Sequence, residues 1–240
     1  TFLLLLILGC FVVRLVTRPV SARQLWRRNQ EQRRLERARR SLGQGLLELS
    51  EGEYEAAEKT LTRYARDAEN PVAHYLVAAR AADLQGAAPR RDELLARALE
   101  ASTDRRAPVL IMQAEIHLKH KQLASALATL EQLEASGESN ARGLLLLSRV
   151  HRQTGAWQRL LEIEPRLRNT RGIPPAVADE TVAQIYLDRL KAAGAAADPG
   201  QLESAWKDLP KSLTRGADIV VAYARRPMAC DGHDPAECAL

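Results

Sequence analysis

Along most of the chain, apolar and polar residues are arranged with the period of an α-helix, and short turn sequences separate the predicted helices. Between turns, apolar residues recur three and four positions apart, as they do on one face of an α-helix. Four turn signals follow one another at nearly constant spacing, at Gly52, Gly86, Lys121 and Gly155. The separations are 34, 35 and 34 residues. A period of this length predicts a row of helix–turn–helix repeats.

Residues at fixed distances from each turn share the same character. Seven positions before the turn the residue is small, at Gly45, Ala79, Ala114 and Ser148. Eleven positions before it, a large residue stands in three of the four cases, at Tyr75, Leu110 and Leu144, with Ser41 as the exception. Small residues let paired helices approach closely, and large residues fill the space between neighbouring pairs.

The fold class that follows is an all-α, tetratricopeptide-like helix–turn–helix solenoid. We predict four repeats at 38–71, 72–106, 107–140 and 141–173. The period weakens afterwards, where Pro174 and Pro175 suit the first turn of a new helix. Residues 174–216 are predicted to form an irregular fifth repeat, and residues 217–240 a truncated sixth.

The start of the chain has a different pattern, an apolar run from Phe2 to Val13 followed by arginines. A bilayer span needs about 20 residues, so this run is too short by itself. We interpret residues 1–17 as the C-terminal part of a truncated transmembrane helix, and residues 18–37 as an Arg-rich juxtamembrane linker or helix start. Pro19 is expected to break the helix just beyond the membrane. A buried core helix is the alternative.

Charge is concentrated next to this run. Residues 14–40 hold ten Arg, no Lys and two Glu, a net charge of +8, whereas the whole chain carries +5, so the remainder carries −3. Only 4% of residues are aromatic, which disfavours stacking platforms for nucleic acid. Basic residues beside a span favour the cytoplasmic side and attract anionic lipid. A solvated helix without lipid contact is the alternative for the membrane-proximal basic residues Arg14, Arg18, Arg23, Arg27 and Arg28.

Candidate metal or heme ligands each have a simpler explanation. His117 and His120 share a predicted helix face, but His117 occupies the repeat position of His151, where a side chain packs between helices. His74 and Tyr75 could ligate heme, yet Tyr75 fills a packing position. The spacing of Cys230, His233 and Cys238, with Asp231 and Asp234 nearby, fits no standard zinc pattern, and Cys10 lies in the apolar run. We therefore predict no enzyme, no metal site and no evident cofactor.

A partner-binding groove is the better candidate, because the first helix of each pair lines the concave face of such arrays. Arginines there suit carboxylates of a peptide or a tetrapyrrole. A solvated polar face is the alternative. The predicted groove residues are Arg80, Asp83, Leu84, Glu115, Lys119, Arg149 and Arg152.

A membrane segment, an Arg-rich linker and degenerate repeats together resemble the HemY family of proteobacterial inner-membrane proteins. The resemblance rests on Gly45–Tyr54, His74–Ala82, Gln113–Glu115 and Gly155–Trp157, and is strongest over residues 1–105. It implies a bacterial inner-membrane location and a role in a late step of heme biosynthesis, and the Arg-rich segment predicts that the repeats lie in the cytoplasm. It implies no known catalytic chemistry.

Three functions compete at this point. The first is a membrane-tethered scaffold whose groove gathers proteins of tetrapyrrole synthesis, including heme-pathway enzymes. The second is a carrier or enzyme that binds heme or porphyrin directly. The third is a generic membrane assembly or quality-control adaptor.

Overall fold

The computed structural model describes residues 2–224, apart from 104, 197–198, 212 and 215–216. Side chains are described from Trp26 onward, except those of residues 27, 199, 217 and 224. All regular secondary structure in these residues is helical, which confirms the all-α fold class. A single 3₁₀ turn at Ala65–Asp67 accompanies the α-helices. The helices are α1 (Phe2–Glu51), α2 (Tyr54–Tyr64), α3 (Pro71–Leu84), α4 (Ala88–Ala101), α5 (Ala107–Lys119), α6 (Leu123–Ala135), α7 (Ala141–Thr154), α8 (Trp157–Asn169), α9 (Pro175–Ala195), α10 (Pro199–Lys207) and α11 (Ala217–Ala224).

The chain divides into two compact units between Val109 and Leu110. In the first unit, α1 packs on α2, α2 on α3 and α3 on α4, so that neighbours in sequence are neighbours in space. In the second unit, α6 packs on α7, α7 on α8 and α8 on α9, and α9 also contacts α10 and α11. Packing between consecutive helices is the arrangement that the helix–turn–helix period predicts.

The four predicted turns have the same backbone structure. Each contains one residue in the left-handed region, with φ of 85° at Gly52, 77° at Gly86, 58° at Lys121 and 69° at Gly155. In each, the next residue donates its N–H to a carbonyl five positions back, as from Gln122 to His117 at 2.8 Å. This bond satisfies one of the carbonyls that a helix end leaves unpaired. The prediction that Lys121 fills the turn position of a glycine is confirmed.

Replacing Lys121 by Gly is expected to raise the free energy of unfolding by about 1 kcal/mol, because a side chain at positive φ carries a steric cost that glycine avoids. Chemical denaturation followed by circular dichroism measures the change. The reverse substitution, Gly155→Lys, provides the matched control and is expected to destabilise by a similar amount. Equal stability of Lys121→Gly and the wild type would show that Lys121 is unstrained.

The small residues seven positions before each turn are buried in every repeat. Ala79 and Ala114 are fully buried, and Ser148 is 2% exposed. At Gly45 the neighbouring helix is very close, since an added Cβ would lie 2.5 Å from Cγ of Leu61. Leu61, on α2, is itself fully buried. The predicted role of these positions in close helix pairing is confirmed.

The expectation that Pro19 breaks the helix is wrong. Helix α1 runs without interruption from Phe2 to Glu51 and therefore includes Pro19, the Arg-rich segment and the first helix of the repeats. A proline removes only one hydrogen bond of the helix ladder, at a cost of about 3 kcal/mol, and the long flanking segments continue on either side. The first buried side chain along α1 that the structure describes is Ala38.

Within the described residues, no helix is both long enough and apolar enough to cross a bilayer. The membrane segment at 1–17 thus stays a prediction. Of the membrane-proximal basic residues, Arg28 is exposed, and the side chains of Arg14, Arg18, Arg23 and Arg27 lie outside the described part.

Candidate functional site

An open cleft of about 470 Å³ lies between α7 and α9 in the second unit. It brings together Arg149 and Arg152, two of the predicted groove residues, one turn apart on α7. The lining residues are Leu145, Ser148, Arg149, Arg152 and Gln153 from α7, and Thr181 and Asp188 from α9.

Arg152 is held in place by an ion pair that joins the two helices. Its Nε and Nη2 donate to Oδ2 of Asp188 at 2.9 and 2.6 Å. Gln184, one turn earlier on α9, donates its side-chain N–H to the other carboxylate oxygen at 2.9 Å. Both partners of the pair are largely shielded from solvent, with 26% and 28% of their side chains exposed. The guanidinium of Arg152 therefore has a defined position in the wall of the cleft.

Arg149 contrasts with Arg152, because it is exposed and forms no ion pair with any residue that the structure describes. With Arg152 balanced by Asp188, the cleft carries the single uncompensated charge of Arg149. A guanidinium binds a carboxylate through two parallel N–H donors, and this geometry suits an anionic side chain or a chain terminus. The cleft can therefore bind one carboxylate at its rim.

The other predicted groove residues are distributed over both units. Arg80 and Leu84 on α3 are exposed in the first unit. In the second unit, Lys119 is exposed, and Glu115 is half-buried and pairs with Arg142 at 2.7 Å. Glu115 thus connects α5 to α7, and its carboxylate already has a cationic partner.

Asp83 is buried, although the sequence predicted that it lines the groove. Only 5% of its side chain is exposed, and Oδ1 lies 3.2 Å from Nη1 of Arg91 on α4. Arg91 is 10% exposed and also pairs with Asp92 at 2.8 Å. The carboxylate of Asp83 is directed into the α3–α4 hairpin because it is the internal partner of a buried guanidinium, so it is not presented to a ligand.

His74 connects α3 to α1. Its Nε2 lies 2.9 Å from the carbonyl oxygen of Ala38 and 3.3 Å from Oγ of Ser41. The imidazole is 3% exposed, and neighbouring Tyr75 is 7% exposed. Both residues are buried in the packing of the helices. Packing was the alternative to heme ligation that the sequence left open.

His117 and His120, the remaining candidate ligands that the structure describes, are not assembled into a site. His117 is half-buried and its Nδ1 lies 2.8 Å from Oε1 of Gln122, whereas His120 is exposed. Among the residues that the structure describes, no three His, Cys, Asp or Glu side chains are grouped as metal ligands. The predictions for Cys230, Asp231, His233, Asp234 and Cys238 lie outside the described residues, as does the side chain of Cys10.

Sequence reasoning missed the α9 side of the cleft. Asp188 lies 36 residues after Arg152, close to one repeat length, in the region where the period weakens. The start of α9 was predicted from Pro174 and Pro175, and its buried face carries Val182, Ile185 and Leu190. The signal available in the sequence was Asp188, an acidic residue about one repeat length after Arg152. A single charged residue on a helix is too common to indicate an ion pair.

His151, on α7, is a buried base with an unusual environment. It is 8% exposed, and its Nδ1 is buried with no hydrogen-bond partner among the described residues. Burial lowers the pKa of His151 below that of a free imidazole, and the nearby charge of Arg159 lowers it further. The carboxylates of Glu131, Glu134 and Glu162 oppose this shift.

Because the pKa of His151 is lower in the folded state, the unfolded chain binds more protons as the pH falls through the range of a free histidine, about 6.5. The contribution to stability is complete above that pH and is lost below it. We expect the thermal midpoint to fall between pH 7.5 and pH 5.5, and to fall less in His151→Leu. An unchanged dependence in His151→Leu would assign the titration to another group.

The helices and the cleft define a class of protein, an all-helical protein of consecutive helix hairpins with a cationic cleft between α7 and α9. The profile of a family described as "HemY protein N-terminus" matches residues 1–86. Proteins named "Protein HemY" from Escherichia coli (strain K12) and from Shigella flexneri are each 30% identical over 210 residues, covering 85% of this chain and 52% of theirs. No solved structure matches the chain.

These matches show that the chain is similar to the HemY family. It spans about half the length of the curated relatives that it matches. This similarity agrees with the resemblance that the repeat residues indicated. The alignment with the relatives covers 210 residues, more than the residues 1–86 that the profile matches.

Proposed function

We propose that this protein is an inner-membrane-anchored scaffold in a late step of heme biosynthesis. The HemY family name supports the process. The scaffold role is supported by one observation above the others, the cleft that presents the guanidinium of Arg149 beside the fixed guanidinium of Arg152. Such a cleft suits an acidic segment of a partner protein, and we propose that the partners are enzymes of the pathway. Tethering to the membrane would raise the effective concentration of the proteins bound.

The geometry supports binding rather than catalysis. The ionisable groups of the cleft are two guanidiniums and one carboxylate that is already paired with Arg152. A general acid or base needs a pKa close to the working pH and access to the reacting proton. The guanidiniums offer only N–H donors, and Asp188 accepts hydrogen bonds from Arg152 and Gln184.

Affinity purification from membranes tests the scaffold proposal. The full chain is compared with Arg149→Glu, which reverses the exposed charge and leaves the Arg152–Asp188 pair in place. Exposed Arg171, in the turn between α8 and α9, provides the matched control as Arg171→Glu. We expect the wild type and Arg171→Glu to recover the same heme-pathway enzymes, and Arg149→Glu to lose them. Recovery of identical partners by all three proteins would refute the assignment of the cleft.

Direct binding of a tetrapyrrole is the second function to test, because its propionates are carboxylates too. Absorbance titration of protoporphyrin with the wild type and Arg149→Glu separates the two cases. The scaffold proposal expects no Arg149-dependent spectral change. A saturable shift that Arg149→Glu abolishes would instead support a carrier.

The proposed anchor rests on the apolar run Phe2–Val13 and the +8 charge of residues 14–40. We expect the chain to stay with inner membranes after alkaline carbonate extraction, and the repeats to be digested by protease in inverted vesicles but not in right-side-out spheroplasts. Release by carbonate would contradict the anchor, and digestion in spheroplasts would contradict the cytoplasmic orientation.

A further inference from the structure

Asp188 decides the net charge of the cleft between α7 and α9. It is the only acidic residue among the described residues that line this cleft. Both of its carboxylate oxygens are engaged, because Oδ2 accepts from Nε and Nη2 of Arg152 at 2.9 and 2.6 Å and Oδ1 accepts from the side chain of Gln184 at 2.9 Å. The carboxylate is therefore fixed beside Arg152, whose charge it cancels in the wall of the cleft.

The ion pair is not a requirement of helix packing. Arg152 stands three positions before the turn residue Gly155, and the same position holds Leu49, Asp83 and Leu118 in the other repeats. Two of these three residues are leucines, so an apolar side chain serves at this position of a hairpin. The charged pair between α7 and α9 thus adds charges to the wall of the cleft that the fold does not need.

The pair acts on any anion that binds to the free guanidinium of Arg149. Arg149 lies one turn before Arg152 on α7, so the two side chains are neighbours on the helix surface. An anion at Arg149 is attracted by Arg152 and repelled by Asp188, and the two effects largely cancel because these charges are only 2.6 Å apart. The attraction of one guanidinium remains. A carboxylate matches one guanidinium through two parallel hydrogen bonds.

A phosphoryl group is at a disadvantage in a cleft of this charge. The attraction of an ion to a cation grows in proportion to the charge of the ion, whereas the cost of removing the ion from water grows with the square of that charge. One guanidinium therefore offsets this cost more fully for a carboxylate than for a phosphate dianion. Two free guanidiniums would favour the dianion, and Asp188 prevents this by neutralising Arg152.

We infer that Asp188 sets the charge preference of the cleft, so that the cleft selects a partner segment with a single carboxylate over a phosphorylated segment. Gln184 is a positioning residue for this preference, because it holds the second carboxylate oxygen of Asp188. This role rests on the proposed function, since it concerns the same cleft. It adds the chemistry of the partner, which is an aspartate, a glutamate or the carboxyl end of a chain.

Anion titrations of the full chain in neutral detergent micelles test the preference, with acetate and inorganic phosphate at constant ionic strength. Binding is followed by NMR through the Nε–H signal of Arg149. Asp188→Asn keeps the shape of the side chain and removes its charge. We expect it to bind acetate about two-fold and phosphate about four-fold more tightly than the wild type does, because the electrostatic energy scales with the charge of the anion. A gain for phosphate that does not exceed the gain for acetate would overturn the role of Asp188.

A double variant separates charge from packing. Arg152→Gln/Asp188→Asn also lacks the ion pair, but it removes both charges, and we expect it to lose the phosphate gain of Asp188→Asn. Retention of that gain would show that charge does not set the preference. Asp67→Asn is the control, since Asp67 is exposed in the first unit and has no ion pair among the described residues. It makes the same change in net charge as Asp188→Asn and should bind both anions as the wild type does.

Arg152→Gln tests the preference in the opposite direction and still decides if Asp188→Asn does not fold. It keeps Asp188 and lowers the charge of the cleft by one, so phosphate binding is expected to weaken about four-fold and acetate binding about two-fold. Equal losses for the two anions would contradict the preference.

The titrations and the affinity purification fail separately. If Arg149→Glu recovers the same heme-pathway enzymes as the wild type, the scaffold role of the cleft is refuted, whereas the titrations still report its charge preference. If Arg149→Glu loses these enzymes but Asp188→Asn leaves the preference unchanged, the scaffold role stands and the role of Asp188 is refuted.

Discussion

Replacing Asp83 by Leu is expected to lower the free energy of unfolding by about 3 kcal/mol. The substitution removes the carboxylate beside Arg91 and leaves a guanidinium that is 10% exposed inside the α3–α4 hairpin. Asp92 continues to pair with Nε of Arg91, but it is a largely exposed partner that compensates only part of the buried charge. Urea denaturation followed by circular dichroism measures the loss.

The repeats themselves provide the control for this prediction. The positions of Asp83 and Arg91 hold Leu49 and Ala57 in the preceding repeat, and Leu118 and Ala126 in the next. The double variant Asp83→Leu/Arg91→Ala therefore gives this repeat the apolar pair of its neighbours. We expect it to be close to the wild type in stability, because replacing both charges removes the desolvation cost together with the attraction. If the double variant were as unstable as Asp83→Leu, the loss of stability could not be explained by the unpaired charge of Arg91.

Replacing Gly45 by Ala is expected to destabilise the protein by about 1–3 kcal/mol through overpacking. The new Cβ would lie 2.5, 2.7 and 3.0 Å from Cγ, Cδ2 and Cδ1 of Leu61. Leu61 is fully buried in α2, so its side chain cannot simply rotate into solvent. The helix pair must then separate, or Leu61 must adopt an unfavourable rotamer.

Gly43 is a matched control in the same helix. A Cβ added there meets nothing within 4 Å. Alanine is about 1 kcal/mol better than glycine inside a helix, so Gly43→Ala is expected to stabilise the protein by up to that amount. Opposite signs for two substitutions two residues apart would show that packing against Leu61 decides the result at Gly45. If both substitutions stabilised the protein, α1 and α2 would be less closely packed than the structure has them.

Much of the hairpin architecture could be predicted because it follows from local constraints that repeat. The turn residues have positive φ, which glycine adopts without strain, so three glycines at one spacing identify the turns and the spacing then identifies Lys121. The small residues at Gly45, Ala79 and Ala114 are informative for a similar reason, since close helix approach excludes larger side chains.

Charged side chains were predicted less well, because their role depends on what lies opposite. Asp83 and Arg149 both occupy polar positions on first helices of hairpins. Asp83 meets Arg91 and is buried, whereas Arg149 meets no partner among the described residues and stays exposed. The sequence around each residue does not distinguish the two outcomes, because the deciding neighbour comes from another helix.

By itself the sequence determined the helical class, the positions of the hairpin turns and the family resemblance, since periodicity and turn chemistry are properties of short segments. Tertiary structure alone decided that Arg152 is fixed by Asp188, whereas Arg149 has no ion-pair partner among the described residues. It also decided that the carboxylate of Asp83 is buried against Arg91. These results depend on which side chains meet across helices, and Coulomb and packing energies fall off over a few ångströms, so they are settled only when the helices are in place.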